Sequence, residues 1–355
     1  MEANPVRFLA RELTPLLDAS RARLATLLHT APQNLVFVPN ATTAVNAVVR
    51  SLDFRRGDEI LTTNHDYNAC RNALKEAARR AGARVVIATP PFPLDNDDQI
   101  IAAVLARVTK RTRLAMLDHI TSSTALVFPI KRLVRELESR GIDCLVDGAH
   151  APGMVPLDLD ALRPAYYTGN CHKWLCAPKG AAFLYARPNR QKHLLPTTVS
   201  HGYDKPWPDR CLFHTRFDWV GTIDPTPWLC IADAIAFCES LLPGGLPALM
   251  KRNHQLAVEA RRLLCKALDI KPPCPEEMLG AMATLPLPAA PAGDSDPLYR
   301  LDPLHVALYE KHKIEVPVMR WGKPKRRWFR ISAQAYNNLA DYERLAAALS
   351  AEIPA

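Results

Sequence analysis

Short, almost continuously apolar runs alternate with amphipathic stretches over the first two-thirds of the chain. Strands that are covered on both faces have this continuous apolar character. The pattern predicts strands over residues 35–38, 59–62, 84–88, 114–118 and 143–147. Helical periodicity covers residues 42–51, 69–81, 98–108 and 130–140. Repeated strand–helix alternation indicates an α/β domain with a mostly parallel sheet and helices on both faces.

The pattern changes after Leu242, where Pro243, Gly244 and Gly245 interrupt the chain. A long helical pattern over 246–268 follows, and then a proline-rich segment over 271–297 that encloses a strand-like piece at 278–285. The remainder predicts a helix (303–311), two strands (314–319 and 328–332) and a helix (339–350). We therefore predict a large domain over residues 16–242 and a smaller α+β domain over 243–355, which residues 1–15 join.

Composition narrows the class of protein. The 355 residues are 48% hydrophobic and 23% charged, which suits a globular protein with a large core. No apolar run approaches the roughly 18 residues needed to cross a bilayer, and the N-terminus does not resemble a signal peptide. These features predict a cytoplasmic protein with no membrane partner.

Charge and cysteine content exclude further classes. The net charge of +9 is scattered along the chain, so we expect no nucleic-acid partner, and the excess suits an enzyme with anionic ligands. Nine cysteines, none of them spaced C-x-x-C, argue against a zinc site or a disulfide framework. We expect reduced thiols and no metal.

Residues just after the predicted strands are candidates for a site, because open parallel sheets bind ligands at the carboxyl ends of their strands. Asn40 to Ala44 lead from the first strand into a helix, whose free amides and dipole favour an anion. An ordinary helix cap is the simpler interpretation of that segment alone. Asp147 ends another strand, where a buried carboxylate needs a partner, although a turn residue is also compatible with it.

Lys173 lies in a run of mostly uncharged residues over 166–180. Burial would lower its pKa and make it a nucleophilic amine, although taken alone it reads as a surface lysine. The order of the motifs is more informative than any one of them: a phosphate-type loop, then Asp147-x-x-His150, then His172-Lys173. Together they supply what pyridoxal phosphate requires, namely a phosphate cradle, a carboxylate for the pyridine nitrogen and a lysine for the aldehyde.

Residues 147–153, 166–180 and 330–337 resemble the class V aminotransferase family of fold-type-I pyridoxal-phosphate enzymes. Within this family the sequence is most similar to isopenicillin N epimerase-like members, and the resemblance extends over nearly the whole chain. It implies a pyridoxal-phosphate-dependent transferase-like large domain built on a mixed, seven-stranded type of sheet. It also implies that the cofactor lies between the two domains, at the interface of a homodimer with shared active sites.

The resemblance assigns roles to individual residues. Lys173 resembles the Schiff-base lysine, and Asp147 resembles the carboxylate that pairs with the pyridine nitrogen. His150 and Ser122 match positions near the phenolic oxygen of the cofactor, and Arg330 matches the arginine that grips the substrate carboxylate. The remaining cofactor-binding positions are Ala41, Thr42, Thr43, Asn170, His172 and, lent by the partner subunit, Thr222.

One aromatic ring of residues 64–68 should stack on the pyridine ring, and we favour Tyr67 over His65. The implied activity is at the α-carbon of an amino acid. Lys173 would remove the α-proton, and Tyr67 or His65 would return a proton to the opposite face, which is epimerase or racemase chemistry.

Other chemistries use the same residues. A carbon–sulfur lyase, a desulfurase-like β-elimination or carbon–carbon bond formation would start from the same carbanion, and a non-catalytic binding protein on this scaffold is the remaining alternative. Cysteine desulfurases of the superfamily carry a cysteine on a loop before the carboxylate-binding arginine. Residues 311–329 contain none, so we do not expect persulfide chemistry of that kind. Family members usually have an upstream segment that helps to close the active site, whereas this sequence begins at Met1 within the first helical region.

Overall fold

The computed structural model describes residues 1–207, 209–289 and 301–353. Its strands are β1 Leu35–Val38, β2 Glu59–Thr63, β3 Arg84–Ala88, β4 Thr112–Asp118, β5 Asp143–Asp147, β6 Tyr166–Asn170, β7 Ala182–Ala186, β8 Met282–Pro286, β9 Val318–Trp321 and β10 Arg326–Ser332. Its α-helices are α1 Pro5–Arg7, α2 Leu13–Leu27, α3 Ala41–Ser51, α4 Asn68–Ala81, α5 Asp98–Leu105, α6 Ile130–Glu138, α7 Leu159–Leu162, α8 Leu212–Asp218, α9 Thr226–Leu229, α10 Ile231–Ser240, α11 Gly245–Ala267, α12 Pro303–His312 and α13 Leu339–Glu352.

The central sheet has seven strands in the order β1-β7-β6-β5-β4-β2-β3. β7 is antiparallel to both of its neighbours, and the other pairs are parallel. The predicted mixed, mostly parallel α/β sheet is therefore confirmed, and all five predicted strands belong to it. β6 and β7 were not predicted, because their sequences lie next to the lysine motif and lack a separating helix.

Side chains of the sheet alternate between two apolar layers, because successive residues of a strand point to opposite faces. Within β1, Val36 and Val38 pack in the layer that contains α3, α4 and α8. Leu35 and Phe37 pack in the other layer, with α2, α6, α10 and α11. Burial on both faces explains why the strands read as continuous apolar runs.

The three strands of the smaller sheet are antiparallel, in the order β8-β10-β9. The central strand, β10, carries Arg330, and α11 and α13 pack against each other beside this sheet. The boundary predicted near Leu242 falls between α10 and α11. Residues 290–297 of the predicted proline-rich segment lie outside the described residues.

Two predicted strands of the small sheet need correction. The strand expected over 314–319 begins only at Val318, because Pro317 has no N–H to donate to a ladder. The strand expected over 278–285 begins at Met282, after the 3-10 turn Glu276–Met278. Helix α5 also ends three residues earlier than its periodicity predicts, at Leu105.

Within residues 1–207, 209–289 and 301–353, no single helix is long and apolar enough to cross a membrane. One bent pair, Thr226–Ser240 with Gly245–Ala267, meets the criteria of length and composition when the two parts are counted together.

A glycine on the loop after β5 holds the lysine loop close to the sheet. Gly153 has a φ of +83°, and a Cβ added to it would lie 2.7 Å from the carbonyl carbon of Trp174. Trp174 follows Lys173 directly. The loop therefore depends on a residue without a side chain at position 153.

We predict that Gly153→Ala destabilises the protein more than Gly141→Ala does. Both glycines have positive φ, but nothing lies within 4 Å of a Cβ at Gly141. Each substitution incurs about 1–2 kcal/mol for the left-handed backbone, and Gly153→Ala adds roughly 1–3 kcal/mol of overpacking. Urea unfolding of the two variants checks the difference, and equal losses would show that the loop yields without cost.

Candidate active site

The carboxyl ends of five strands, β1, β2, β4, β5 and β6, lead into one cavity of about 270 Å³. Each strand end or the loop after it contributes side chains, as expected for a parallel sheet. The lining residues are Asn40, Ala41, Thr42, Tyr67, Asp118, Ile120, Ser122, Asp147, Ala149, His150, Asn170, His172 and Lys173. Nine of the predicted site residues are thus brought together from five separate segments.

Lys173 lies on the loop after β6, and its Nζ is 3.0 Å from Nε2 of His150. Burial lowers the pKa of Lys173 below its ordinary value, while the charge of Asp147 opposes that shift. Burial also lowers the pKa of His150 well below its ordinary value, with Lys173 and Arg330 adding to the effect. An amine whose pKa is lowered, beside a neutral imidazole, is suited to nucleophilic attack and proton transfer.

The indole of Trp174 fixes the tautomer of His150. Its Nε1–H donates to His150 Nδ1 over 3.4 Å. A neutral imidazole that accepts at Nδ1 carries its proton on Nε2. That proton points to Lys173, so the geometry favours a lysine amine that accepts a hydrogen bond through its lone pair.

Asp147 ends β5 and is 4% exposed. Its Oδ2 accepts a hydrogen bond from the Cys70 thiol over 3.2 Å, and its Oδ1 accepts one from the Ala149 amide over 3.0 Å. Burial and the neighbouring carboxylate keep the pKa of Cys70 high, so this thiol remains a donor. Burial raises the pKa of Asp147, and these two donors together with Lys173 oppose that rise.

The start of α3 also lines the cavity, through Asn40, Ala41 and Thr42. Asn40 caps the helix by accepting from the Thr43 amide over 2.8 Å, and the Ala41 amide donates to Asn170 Oδ1 over 2.9 Å. Within the described part of the chain, the Thr42 amide has no hydrogen-bond partner in the protein. This free amide lies at the positive end of the helix dipole, which is a favourable position for an anion.

Arg330 reaches the edge of the cavity from the small sheet. Its Nη1 donates to the backbone oxygen of Ser122 over 2.5 Å. The Nε of Arg330 is buried without a partner among the described residues. The guanidinium therefore bridges the two sheets and keeps donor capacity for a further acceptor.

Besides Arg330, three predicted residues lie outside the cavity lining. The hydroxyl and amide of Thr43 both bond Asn40, so Thr43 serves the helix cap. Thr222 is exposed on the loop after α8. The assignments of Thr43 and Thr222 to cofactor binding remain predictions.

The third is His65, which was given above as the alternative to Tyr67 for stacking and proton donation. Its imidazole is 1% exposed, and its two nitrogens bond the Thr124 hydroxyl and the Pro90 carbonyl. Its ring packs against Trp321, with the centroids 4.5 Å apart, and burial lowers its pKa to about 4. Tyr67 lines the cavity, so the geometry favours Tyr67 of the two rings.

Asp118 is a site residue that the sequence reasoning missed. It ends β4, lines the cavity and is 3% exposed. Because Asp118 is the last residue of a correctly predicted strand, the rule that identified Asp147 could have identified it too.

The residues present fit pyridoxal phosphate. His172 Nδ1 and Asp118 Oδ1 are buried polar atoms without partners among the described residues, at the wall of the cavity. The start of α3 suits the phosphate, Asp147 suits the pyridine nitrogen and Lys173 suits the aldehyde.

The Aminotransferase class-V family model matches residues 2–345. The chain is 36% identical over 363 residues to isopenicillin N epimerase of Amycolatopsis lactamdurans, covering 98% of this chain and 88% of that one. It is 32% identical over 373 residues to a probable chloroplastic L-cysteine desulfhydrase of Arabidopsis thaliana, and the match covers 98% of this chain and 76% of that one.

Among solved structures, the cystine C–S lyase C-DES in complex with cysteine persulfide superposes with a TM-score of 0.78 at 20% identity, covering 97% of this chain and 88% of that one. The apo cysteine desulfurase of Thermococcus onnurineus NA1 superposes with a TM-score of 0.78 at 19% identity, and the match covers 97% of this chain and 85% of that one. The fold and the cavity define a class of α/β enzyme with a lysine and a carboxylate at one sheet edge. Within that class, the chain belongs to the class-V aminotransferase family.

We predict opposite effects of two substitutions on the pKa of Lys173. Asp147→Asn lowers it, because the carboxylate charge favours the ammonium form, and Arg330→Met raises it, because the guanidinium charge disfavours that form. The pH dependence of imine formation between the cofactor-free protein and pyridoxal, followed by absorbance, gives each value. Asp95→Asn, an exposed carboxylate outside the cavity, is the control. Shifts of the same sign in both cavity variants would contradict this electrostatic arrangement.

Proposed function

We propose that this protein is a pyridoxal-phosphate-dependent epimerase or racemase that acts at the α-carbon of an amino acid. Pyridoxal phosphate is the cofactor of this class-V enzyme, and when bound it stabilises negative charge at the α-carbon. The observation that carries the proposal is the Lys173–His150 contact of 3.0 Å in a cavity that Asp147 and Tyr67 also line. The 36% identity to isopenicillin N epimerases supports the choice of reaction.

Lys173 is the base in this proposal. Its lowered pKa leaves a larger fraction of the amine unprotonated near neutral pH, and His150 is placed to exchange a proton with it. Asp147, held by Cys70 and Ala149, supplies the negative charge that keeps the pyridine nitrogen protonated.

Tyr67 is the proposed proton donor on the other face. It follows β2 and caps α4, so its position is independent of the lysine loop. Its side chain lines the cavity while the residue is 51% exposed, which allows its hydroxyl to exchange protons with water. Inversion requires such a second group, because a single base returns the proton to the face it came from.

Arg330 is the proposed partner of the substrate carboxylate. Its Nε lacks a partner among the described residues, and burial lowers its pKa, which an added anion would offset. Its bond to Ser122 sets the direction of the guanidinium.

A carbon–sulfur lyase is the second candidate, and the desulfhydrase relatives at 28–32% identity favour it. It uses the same base and the same carboxylate. The two candidates differ in whether the carbanion recovers a proton or loses a β-substituent.

We also propose a homodimer in which Thr222 contributes to the phosphate site of the partner. The loop that carries Thr222 is exposed in the single chain, as is the neighbouring apolar Ile223 at 40%. An apolar side chain exposed beside a hydroxyl suits a surface that another chain covers.

We predict that Tyr67→Phe slows inversion strongly but leaves α-proton exchange in place. The cofactor-loaded protein is incubated with a panel of amino acids in heavy water and followed by proton NMR and chiral chromatography. Loss of a general acid slows inversion by about 10²–10⁴-fold, while Lys173 still exchanges the proton on its own face. Lys173→Ala removes both activities. His65→Asn, which removes the other candidate ring, is the control.

The products formed from amino acids distinguish the epimerase from the carbon–sulfur lyase. Sulfide or a keto acid released from a sulfur amino acid would replace the epimerase proposal with the lyase. Unchanged inversion in Tyr67→Phe would remove Tyr67 from the proposed role.

We predict that Lys173→Ala and Thr222→Asp complement each other. Each variant alone lacks a functional site, because one lacks the base and the other places a negative charge where the phosphate binds. A mixed dimer regains one site, which combines Lys173 of one chain with Thr222 of the other. Random mixing should restore roughly a quarter of wild-type exchange per chain. No recovery in verified mixed dimers would contradict the shared site.

A further inference from the structure

Two carboxylates lie side by side at the cavity. Asp118 ends β4 and Asp147 ends β5, and these residues are direct partners in the parallel register. Neighbouring strands lie about 4.8 Å apart, and partners in register point to the same face. Both residues line the cavity, and they are 3% and 4% exposed. Two ionised carboxylates in so small a volume would repel each other strongly.

Hydrogen bonding is unequal within the pair. Asp147 accepts from the Cys70 thiol and from the Ala149 amide. Asp118 Oδ1 is buried and has no partner in the described part of the chain. A carboxylate with donors keeps its charge more easily than one without them, so a single proton on the pair resides on Asp118.

The groups that act on Asp118 come from α4, from the end of β5 and from the loops around the cavity. They are Asp66, Cys70, Arg71, Asp147 and Lys173. Burial, Asp147 and Asp66 raise the pKa of Asp118, and Lys173 and Arg71 only partly oppose them. Arg71 also bonds Asp66 directly over 2.5 Å, so much of its charge is already balanced.

We propose that Asp118 is a protonated positioning residue: it holds the one proton of an Asp118–Asp147 pair and donates a hydrogen bond into the cavity. The pair then presents a single negative charge, on Asp147, to the pyridine nitrogen of the cofactor. The assignment of that nitrogen rests on the proposed function, whereas the proton on Asp118 is a property of the cofactor-free protein. No relative's described activity assigns a role to Asp118.

The first test is the stability of the cofactor-free protein. A carboxyl group whose pKa is higher in the folded than in the unfolded state stabilises the fold below its unfolded pKa, near 4, and loses that contribution as pH rises. Asp118→Asn resembles the neutral acid at every pH. We therefore expect the Tm of Asp118→Asn, relative to that of wild type, to increase by about 2 °C or more from pH 5 to pH 8. Asp95→Asn, at an exposed position, should show no such trend.

The second test observes the proton directly on the wild-type protein, so it does not depend on how a variant folds. Infrared difference spectra with isotope-labelled aspartate should show the carbonyl band of a protonated carboxyl group at neutral pH. Asp118→Asn should remove that band. Absence of the band, or a Tm difference that does not vary with pH, would overturn the proposal.

The third test separates charge from hydrogen bonding. Asp118→Asn keeps a donor and should retain the affinity for pyridoxal phosphate, measured by fluorescence quenching. Asp118→Leu has neither charge nor donor and should bind the cofactor about 10-fold more weakly, as expected for one lost hydrogen bond. Equal binding by both variants would overturn the donor role. If the loaded enzyme exchanges no α-proton but the first two tests succeed, the proposed function fails and the carboxylate pair stands.

Discussion

Lys173 and Asp147 face the same cavity at the carboxyl edge of the central sheet, and each is a group that is charged in water and costly to bury. The structure reduces this cost in different ways for the two groups. Asp147 receives donors from Cys70 and the Ala149 amide, whereas Lys173 shifts towards its neutral form beside His150. As a result, the cavity holds a carboxylate and a basic amine within one small volume.

The placement of these two groups in one cavity depends on the sheet. Parallel strands bring their carboxyl ends to one edge, so residues far apart in the sequence meet there without long loops. The antiparallel β7 returns the chain between β6 and β1 and keeps β1 parallel to the other strands that supply the site. The start of α3 therefore contacts the end of β6, just before the lysine loop, and Arg330 of the small sheet reaches the cavity edge through Ser122.

Much of this arrangement was predictable from the sequence, because continuous apolar strands and the residues that follow them are local signals. Asp147 and His150 were found in this way, whereas Lys173 was found from its sequence motif, because the strand before it was not predicted. His65 was not resolved from Tyr67, because the two residues are neighbours in one segment and only tertiary packing decides which ring is buried. Asp118 was missed although it ends a predicted strand, since its significance comes from its register with Asp147, and register between distant strands is not a local property.

The chemistry is also decided by contacts that motifs do not encode. Both proposed reactions would use a base, a carboxylate for the pyridine nitrogen and an arginine for the substrate, so those residues cannot distinguish them. The absence of cysteine from residues 311–329 speaks against transfer of sulfur to the protein, but elimination requires no thiol. What separates the reactions is the face opposite Lys173. A proton donor there favours inversion, and room for a departing sulfur group favours elimination. Tyr67 lies on the cavity wall and is half exposed. In the proposed inversion it would donate the proton on that face, a donor that elimination does not need.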